Sequence, residues 1–205
     1  MKVLFCASEA LPFAATGGLA DVAGSLPTAL RTRLIGCRVV MPLYETVPQE
    51  LREKMKFVTS ISVPVAWRRQ YCGIFEATEA GVKYYFIDNE YYFKRNTLYG
   101  QYDDGERYAF FAKAICECCA YLPDFFPDVL HCNDWETALS IIYLKDKMAE
   151  RIDYRTIRTV YTIHNIAYQG QFGANELGDT FALNPGWYDA ALGYEFDGRH
   201  DVNLM

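Results

Sequence analysis

The feature that most restricts this chain is an alternation of short apolar runs with longer segments of helical period. Val3–Ala7 is a β run. From Asp21 to about Leu34, Val22, Leu26, Ala29 and Leu30 recur at three- and four-residue spacing, which predicts a helix. Cys37–Met41 is a second β run, closed by Pro42. Residues 57–66, 71–77 and 82–88 read as three further strands with no helix between them, so a hairpin is expected at a sheet edge. A helix follows from Asp103 to about Tyr121, then a strand at Pro127–Cys132, a helix from Asn133 to about Ala149 and a strand at Thr156–Ile163. Asp103 with Glu106, and Asn133 with Glu136, have the spacing of capping boxes. Residues 165–205 lose periodicity and read as loop with short helical turns. Strands alternating with helices imply an α/β fold, a mostly parallel sheet layered between helices.

The 205 residues can bury a full core, since roughly 100–200 residues make one domain. Lys and Arg number 20 against 26 Asp and Glu, a net charge of −6. That balance argues against nucleic acid as a partner, because neutralising phosphates needs clustered cations. Seven cysteines with no repeated CxxC pair and no export signal predict reduced thiols. Cys116, Cys118 and Cys119 read as small apolar helix residues rather than a metal set, and the three histidines have no metal spacing. Glu9 interrupts the first apolar stretch, and no run approaches the roughly 18 apolar residues of a membrane span. A cytoplasmic chain with no membrane partner is expected. Aromatic residues reach 16%, which suits contact with a sugar or a base and suits an aromatic core equally.

In a mostly parallel sheet, ligands gather at the carboxyl ends of the strands. That rule selects residues 8–21, 88–104, 131–135 and 163–172. In the first, Thr16-Gly17-Gly18-Leu19-Ala20-Asp21 puts two glycines before a helix. It reads as a plain turn or as a close backbone approach to an anion at the helix start. It is neither a P-loop nor a GxGxxG. In His131-Cys132-Asn133-Asp134-Trp135, a carboxylate beside an indole suits a sugar, its hydroxyls on the acid and its C–H face on the ring; a helix cap beside a core tryptophan is the plainer reading. The His164-Asn165 pair after a buried strand needs hydrogen-bond partners, either a phosphate or sugar hydroxyl or groups of the protein itself. Among the aromatics at 84–102, Tyr99 and Tyr102 are the rings expected to be exposed.

Taken together, these segments resemble the bacterial glycogen synthase and plant starch synthase family. The resemblance rests on Ser8-Glu9 with Pro12-Phe13, Thr16-Gly17-Gly18-Leu19-Ala20-Asp21-Val22, Arg38-Val39-Val40-Met41-Pro42 and Glu106-Arg107 with Phe110-Phe111. It continues through His131 with Asp134-Trp135 and Thr162-Ile163-His164-Asn165 with Tyr168-Gln169-Gly170, in the family's order from Met1 to about Asn203. It implies a Rossmann-like three-layer sandwich, the amino-terminal half of a GT-B glycosyltransferase, with residues 1–205 as the acceptor-side domain ahead of a nucleotide-binding second domain. The implied reaction moves glucose from ADP-glucose to the non-reducing end of an α-1,4-glucan, glycogen or starch, with retention and with neither metal nor cofactor. By the same resemblance, His164 and Asp21 are catalytic. Ala15, Thr16, Gly17, Gly18 and Asn165 face the donor. Glu9, Tyr99, Asp134, Trp135, Tyr168 and Gln169 face the acceptor.

Two departures qualify it. The family has a lysine directly before Thr-Gly-Gly, where this chain has Ala15. Losing a charge-assisted phosphate contact costs about 1.5–3 kcal/mol, roughly ten- to hundred-fold in donor affinity or rate. The Glu195-Phe196-Asp197-Gly198 pattern is followed by Arg199-His200-Asp201, which departs from the family's spacing before Val202-Asn203-Leu204. Ala15 supports a second reading, a paralogue that binds glucan without extending it. A nucleotide-dependent oxidoreductase is the third, weakened by the missing GxGxxG.

Overall fold

The computed structural model describes the backbone of residues 1–205 and every side chain except those of Ala149 and Phe196. Seven strands form the main sheet: β1 (Lys2–Cys6), β2 (Gly36–Pro42), β3 (Lys56–Val65), β4 (Arg68–Glu79), β5 (Val82–Asp88), β6 (Val129–Asn133) and β7 (Arg158–Thr162). Their order is β3-β4-β5-β2-β1-β6-β7. The helices are α1 (Gly18–Thr32), α2 (Gln49–Arg52), α3 (Glu90–Phe93), α4 (Asp104–Cys118), α5 (Trp135–Glu150) and α6 (Glu176–Asp179). β5, β2, β1, β6 and β7 pair in parallel, while β3 and β4 join as the expected antiparallel edge hairpin.

β1 lies in the middle of the five parallel strands and is apolar on both faces: Leu4, Phe5 and Cys6 are fully buried. The chain leaves β1 toward β2 on one side and returns to β6 on the other. The loops after β1 and β6 therefore diverge, opening a crevice at the carboxyl edge of the sheet. The aromatic belt is mostly core, as expected: Tyr84, Tyr85, Phe86, Tyr92 and Phe93 are buried.

The structure corrects three sequence expectations. The helix placed from Asp21 starts at Gly18, one turn earlier. Neither capping box forms. Asp103 instead pairs with Arg95 at 2.9 Å, and Asp134 spends its carboxylate on a distant loop. Third, residues 165–205 contain an antiparallel sheet of β8 (Gln171–Gly173), β10 (Arg199–Asn203) and β9 (Gly193–Phe196), in that spatial order. Strands of three to five residues hold too few period-two repeats to be read, and β10 is mostly polar. Its turn was legible: Asp197 and Gly198 both have positive φ, 51° and 72°, the two-residue connection that Asp-Gly favours.

Candidate functional site

The crevice holds a cavity of about 850 Å³ whose walls come from four carboxyl-edge segments. The loop after β1 supplies the first wall. Glu9 is only 3% exposed, and its Oε2 accepts the Thr16 N–H at 2.6 Å and the Thr16 hydroxyl at 2.7 Å. This brace folds the loop back and presents Gly17 and Gly18 to the cavity. α1 then starts without a side-chain cap; the Ala20 N–H turns back to the Gly17 carbonyl at 3.2 Å, and the Gly18 and Leu19 N–H groups before it take no side-chain cap. Neither glycine has a positive φ, and a Cβ on Gly18 would meet nothing within 4 Å. A Cβ on Gly17 would come no nearer than 3.7 Å to Glu9. The protein's own packing makes no demand for glycine at these two positions.

The β6–α5 turn supplies the second wall and clamps the third. Asn133 is fully buried and donates from Nδ2 to the carbonyls of Cys6 and His131, both at 3.0 Å. Its Oδ1 must then accept, so the His164 ring at 2.9 Å donates from Nε2. Asp134 sits at φ 55°, ψ 176°, a strained backbone for a residue other than glycine. Its Oδ1 accepts the main-chain N–H of His164 at 2.6 Å and of Asn165 at 3.4 Å. The His-Asn pair is thus fixed from two sides by the neighbouring strand's turn. His131 bonds Thr162 Oγ1 at 2.8 Å, and burial holds its pKa below the ordinary value.

The fourth wall is the 94–104 segment. Arg107 is fully buried, donates to the carbonyls of Tyr92 (2.7 Å) and Leu98 (3.1 Å), and pairs with Asp104. Asp104 Oδ2 in turn accepts from the Gly100 and Gln101 N–H groups at 2.8 and 3.2 Å. Tyr99 is half-buried rather than exposed, its hydroxyl 2.8 Å from Ser8 Oγ. Trp135 is 9% exposed. Its ring packs on Tyr108 and Phe172, and a Cβ on Gly170 would come within 2.7 Å of its Cε3. Trp135 is therefore chiefly a wall, and Tyr168, 69% exposed, is the open ring of the cavity.

Of the residues singled out from sequence, Glu9, Thr16, Gly17, Gly18, Tyr99, Asp134, Trp135, His164, Asn165 and Tyr168 line this one cavity. Ala15 and Asp21 lie exposed outside the lining, and Gln169 faces away, accepting from Asn203 Nδ2 at 2.7 Å. Sequence reading missed Asp104 and Glu136, which it used only as helix-start residues. The walls carry four acids, Glu9, Asp104, Asp134 and Glu136, and neither lysine nor arginine. Among the described residues, no group of three or more His, Cys, Asp or Glu side chains could hold a metal ion. Among the described residues, no helix is long and apolar enough to cross a membrane.

A doubly wound sheet with a switch-point crevice, walled by acids, amides and aromatic rings, defines an α/β domain with a polar cleft where sheets of this kind bind ligands. The chain belongs to the starch synthase catalytic domain family, whose model matches residues 2–205. It is 53% identical over 173 residues to a glycogen synthase of Clostridium novyi (strain NT), covering 84% of this chain and 36% of that protein. It is 52% identical over 200 residues to a glycogen synthase of Geobacillus stearothermophilus, covering 97% and 40%. The catalytic domain of starch synthase IV from Arabidopsis thaliana, solved bound to ADP and acarbose, superposes with a TM-score of 0.87 at 26% identity, covering 98% of this chain and 41% of that one. The chain thus spans about two fifths of the length of these relatives.

Proposed function

We propose that this chain is the acceptor-side domain of a retaining glucosyltransferase that moves glucose from ADP-glucose to the non-reducing end of an α-1,4-glucan. The observation that carries the reading is the open space over Gly17 and Gly18, where the protein's own packing asks for no glycine. A ligand that must approach the backbone closely accounts for the pair. Support comes from family membership and from the starch synthase whose structure holds ADP and acarbose.

In this reading the acceptor's terminal 4-hydroxyl oxygen bonds to C1 of the donor glucose as the C1–O bond to the diphosphate breaks. ADP leaves, and the hydroxyl proton passes to the departing phosphate oxygen. The N–H groups at the start of α1 favour negative charge on that phosphate. His164, held by Asn133 and Asp134, lies against the transferred glucose, where its ring or its carbonyl steadies positive charge at C1. Asn165 flanks it. Glu9, Tyr99, Asp134, Trp135 and Tyr168 form the glucan side, with Asp21 and Gln169 toward its outer edge and Ala15 and Thr16 toward the donor. The cavity walls offer no lysine or arginine. Most of the donor's charge is therefore met by a second domain, which holds the nucleotide. Buried, unpaired cysteines fit a cytoplasmic setting.

The test is incorporation of labelled glucose from ADP-glucose into glycogen. The full-length protein transfers glucose and residues 1–205 alone do not. Transfer by residues 1–205 alone, or none by the full-length protein, overturns the reading.

A further inference from the structure

Four carboxyl groups line the cavity, and three of them are already engaged. Glu9 braces Thr16, Asp134 holds His164 and Asn165, and Asp104 takes two loop N–H groups together with Arg107. Glu136, in the first turn of α5, is the exception. It is 7% exposed, and its Oε2 is buried without a hydrogen-bond partner. A buried polar atom left unsatisfied beside a cavity favours a hydrogen bond from a ligand, because desolvating it costs free energy that nothing in the protein returns.

We propose that Glu136 is a binding residue for the acceptor glucan, holding sugar hydroxyls inside the cavity. This rests on the transferase reading above. The ligand class follows from the immediate neighbours of Glu136: its acidic surroundings disfavour an anion beside this carboxyl and tolerate an uncharged polyol. The acids facing Glu136 are Asp134 on its own turn, Glu9 from the loop after β1 and Asp104 from α4. Tyr44, Tyr99 and Tyr161 face it from the segments following β2 and α3 and from β7. Burial, opposed by a hydrogen bond from the residue's own main chain and helped by these acidic neighbours, pushes the carboxyl from the ordinary 4.5 up to about 8. At neutral pH it is an uncharged acid. It can donate its O–H to one sugar hydroxyl and accept from another, a pairing an ionised carboxylate cannot offer.

The test uses the full-length protein, with initial rates of glucose transfer to maltoheptaose measured from about pH 6 to about pH 9.5, across the folded titration. Glu136→Ala raises the maltoheptaose KM about ten-fold or more at neutral pH, the cost of one to two lost hydrogen bonds. The ADP-glucose KM stays within about two-fold, as expected of a group that does not touch the donor. Wild-type maltoheptaose KM rises through about pH 8 as the donor proton is lost. Glu136→Gln, which keeps one donor and one acceptor at every pH, removes that rise. An unchanged maltoheptaose KM in Glu136→Ala, or a change confined to ADP-glucose, overturns the role of Glu136 while leaving the transferase reading intact. A wild-type protein that transfers no glucose overturns both. A cooperative unfolding transition well above the assay temperature in wild type and in both variants establishes that binding and not folding has been read.

Discussion

The carboxylate of Asp134 accepts the main-chain N–H of His164 at 2.6 Å, although 30 residues separate them in sequence. The bond crosses from the turn after β6 to the loop after β7, and with Asn133 it fixes the histidine's backbone and ring at once. Asp134→Ala leaves those N–H groups without their acceptor. We expect it to cost about 1–3 kcal/mol in urea unfolding and to lower kcat about 10–100-fold in the full-length protein. Asp134→Asn keeps an acceptor oxygen and recovers most of the stability.

Gly170 carries two demands at once. Its φ is +63°, and an added Cβ would lie 2.7 Å from Trp135 Cε3 and 2.9 Å from Trp135 Cβ. The latter atom cannot swing aside. Gly170→Ala is expected to destabilise by about 2–4 kcal/mol, combining backbone strain with overpacking. Tryptophan fluorescence of the folded state, together with the unfolding midpoint, checks it.

Glu136 also sets a pH dependence of stability. Its folded pKa of about 8 lies above the ordinary 4.5, so the folded state favours the protonated form. This contribution is intact below about pH 4.5 and is lost as pH rises to about 8. Glu136→Gln does not titrate. Relative to wild type it gains stability between pH 5 and pH 8.5, on the order of 1–3 kcal/mol after allowing for relaxation of the site. Parallel urea midpoints at the two pH values contradict this.

Ala15 stands exposed beside the cavity loop. Ala15→Lys in the full-length protein supplies a cation next to the donor phosphates and is expected to raise kcat/KM for ADP-glucose about ten-fold or more. A protein that stays inactive with that lysine is instead a glucan binder that has lost other groups.

Much of the fold was legible because the central strands are apolar on both faces and the helices are long enough to show their period. What escaped was short or polar. β8, β9 and β10 rest on pairings of a few residues, and only the Asp197-Gly198 turn signals them. The candidate site was legible as residue types at strand ends, and ten of those residues share one cavity. The division of labour among them was not. Asp134 and Trp135 were legible as an acid beside a ring, either a sugar site or a cap beside a core tryptophan; that Asp134 also braces His164 while Trp135 packs against Gly170 was not. Glu136 looked like half of a cap and proved to be the acid with a buried oxygen left unpartnered. Pairing across 30 residues and burial within a cavity are properties of the assembled walls, which no local spacing encodes.

The central claim is that this carboxyl-edge cavity is where glucose is transferred, and Gly18→Ala tests it most directly. Gly18 opens α1, and its Cβ would meet no protein atom within 4 Å. Stability should be unchanged or should rise by up to about 1 kcal/mol, as glycine in a helix gives way to alanine. Glucose transfer from ADP-glucose to glycogen by the full-length protein should fall about ten-fold or more, because the methyl group occupies space the substrate needs. A variant that keeps wild-type transfer with wild-type stability would contradict the placement of the reaction in this cavity.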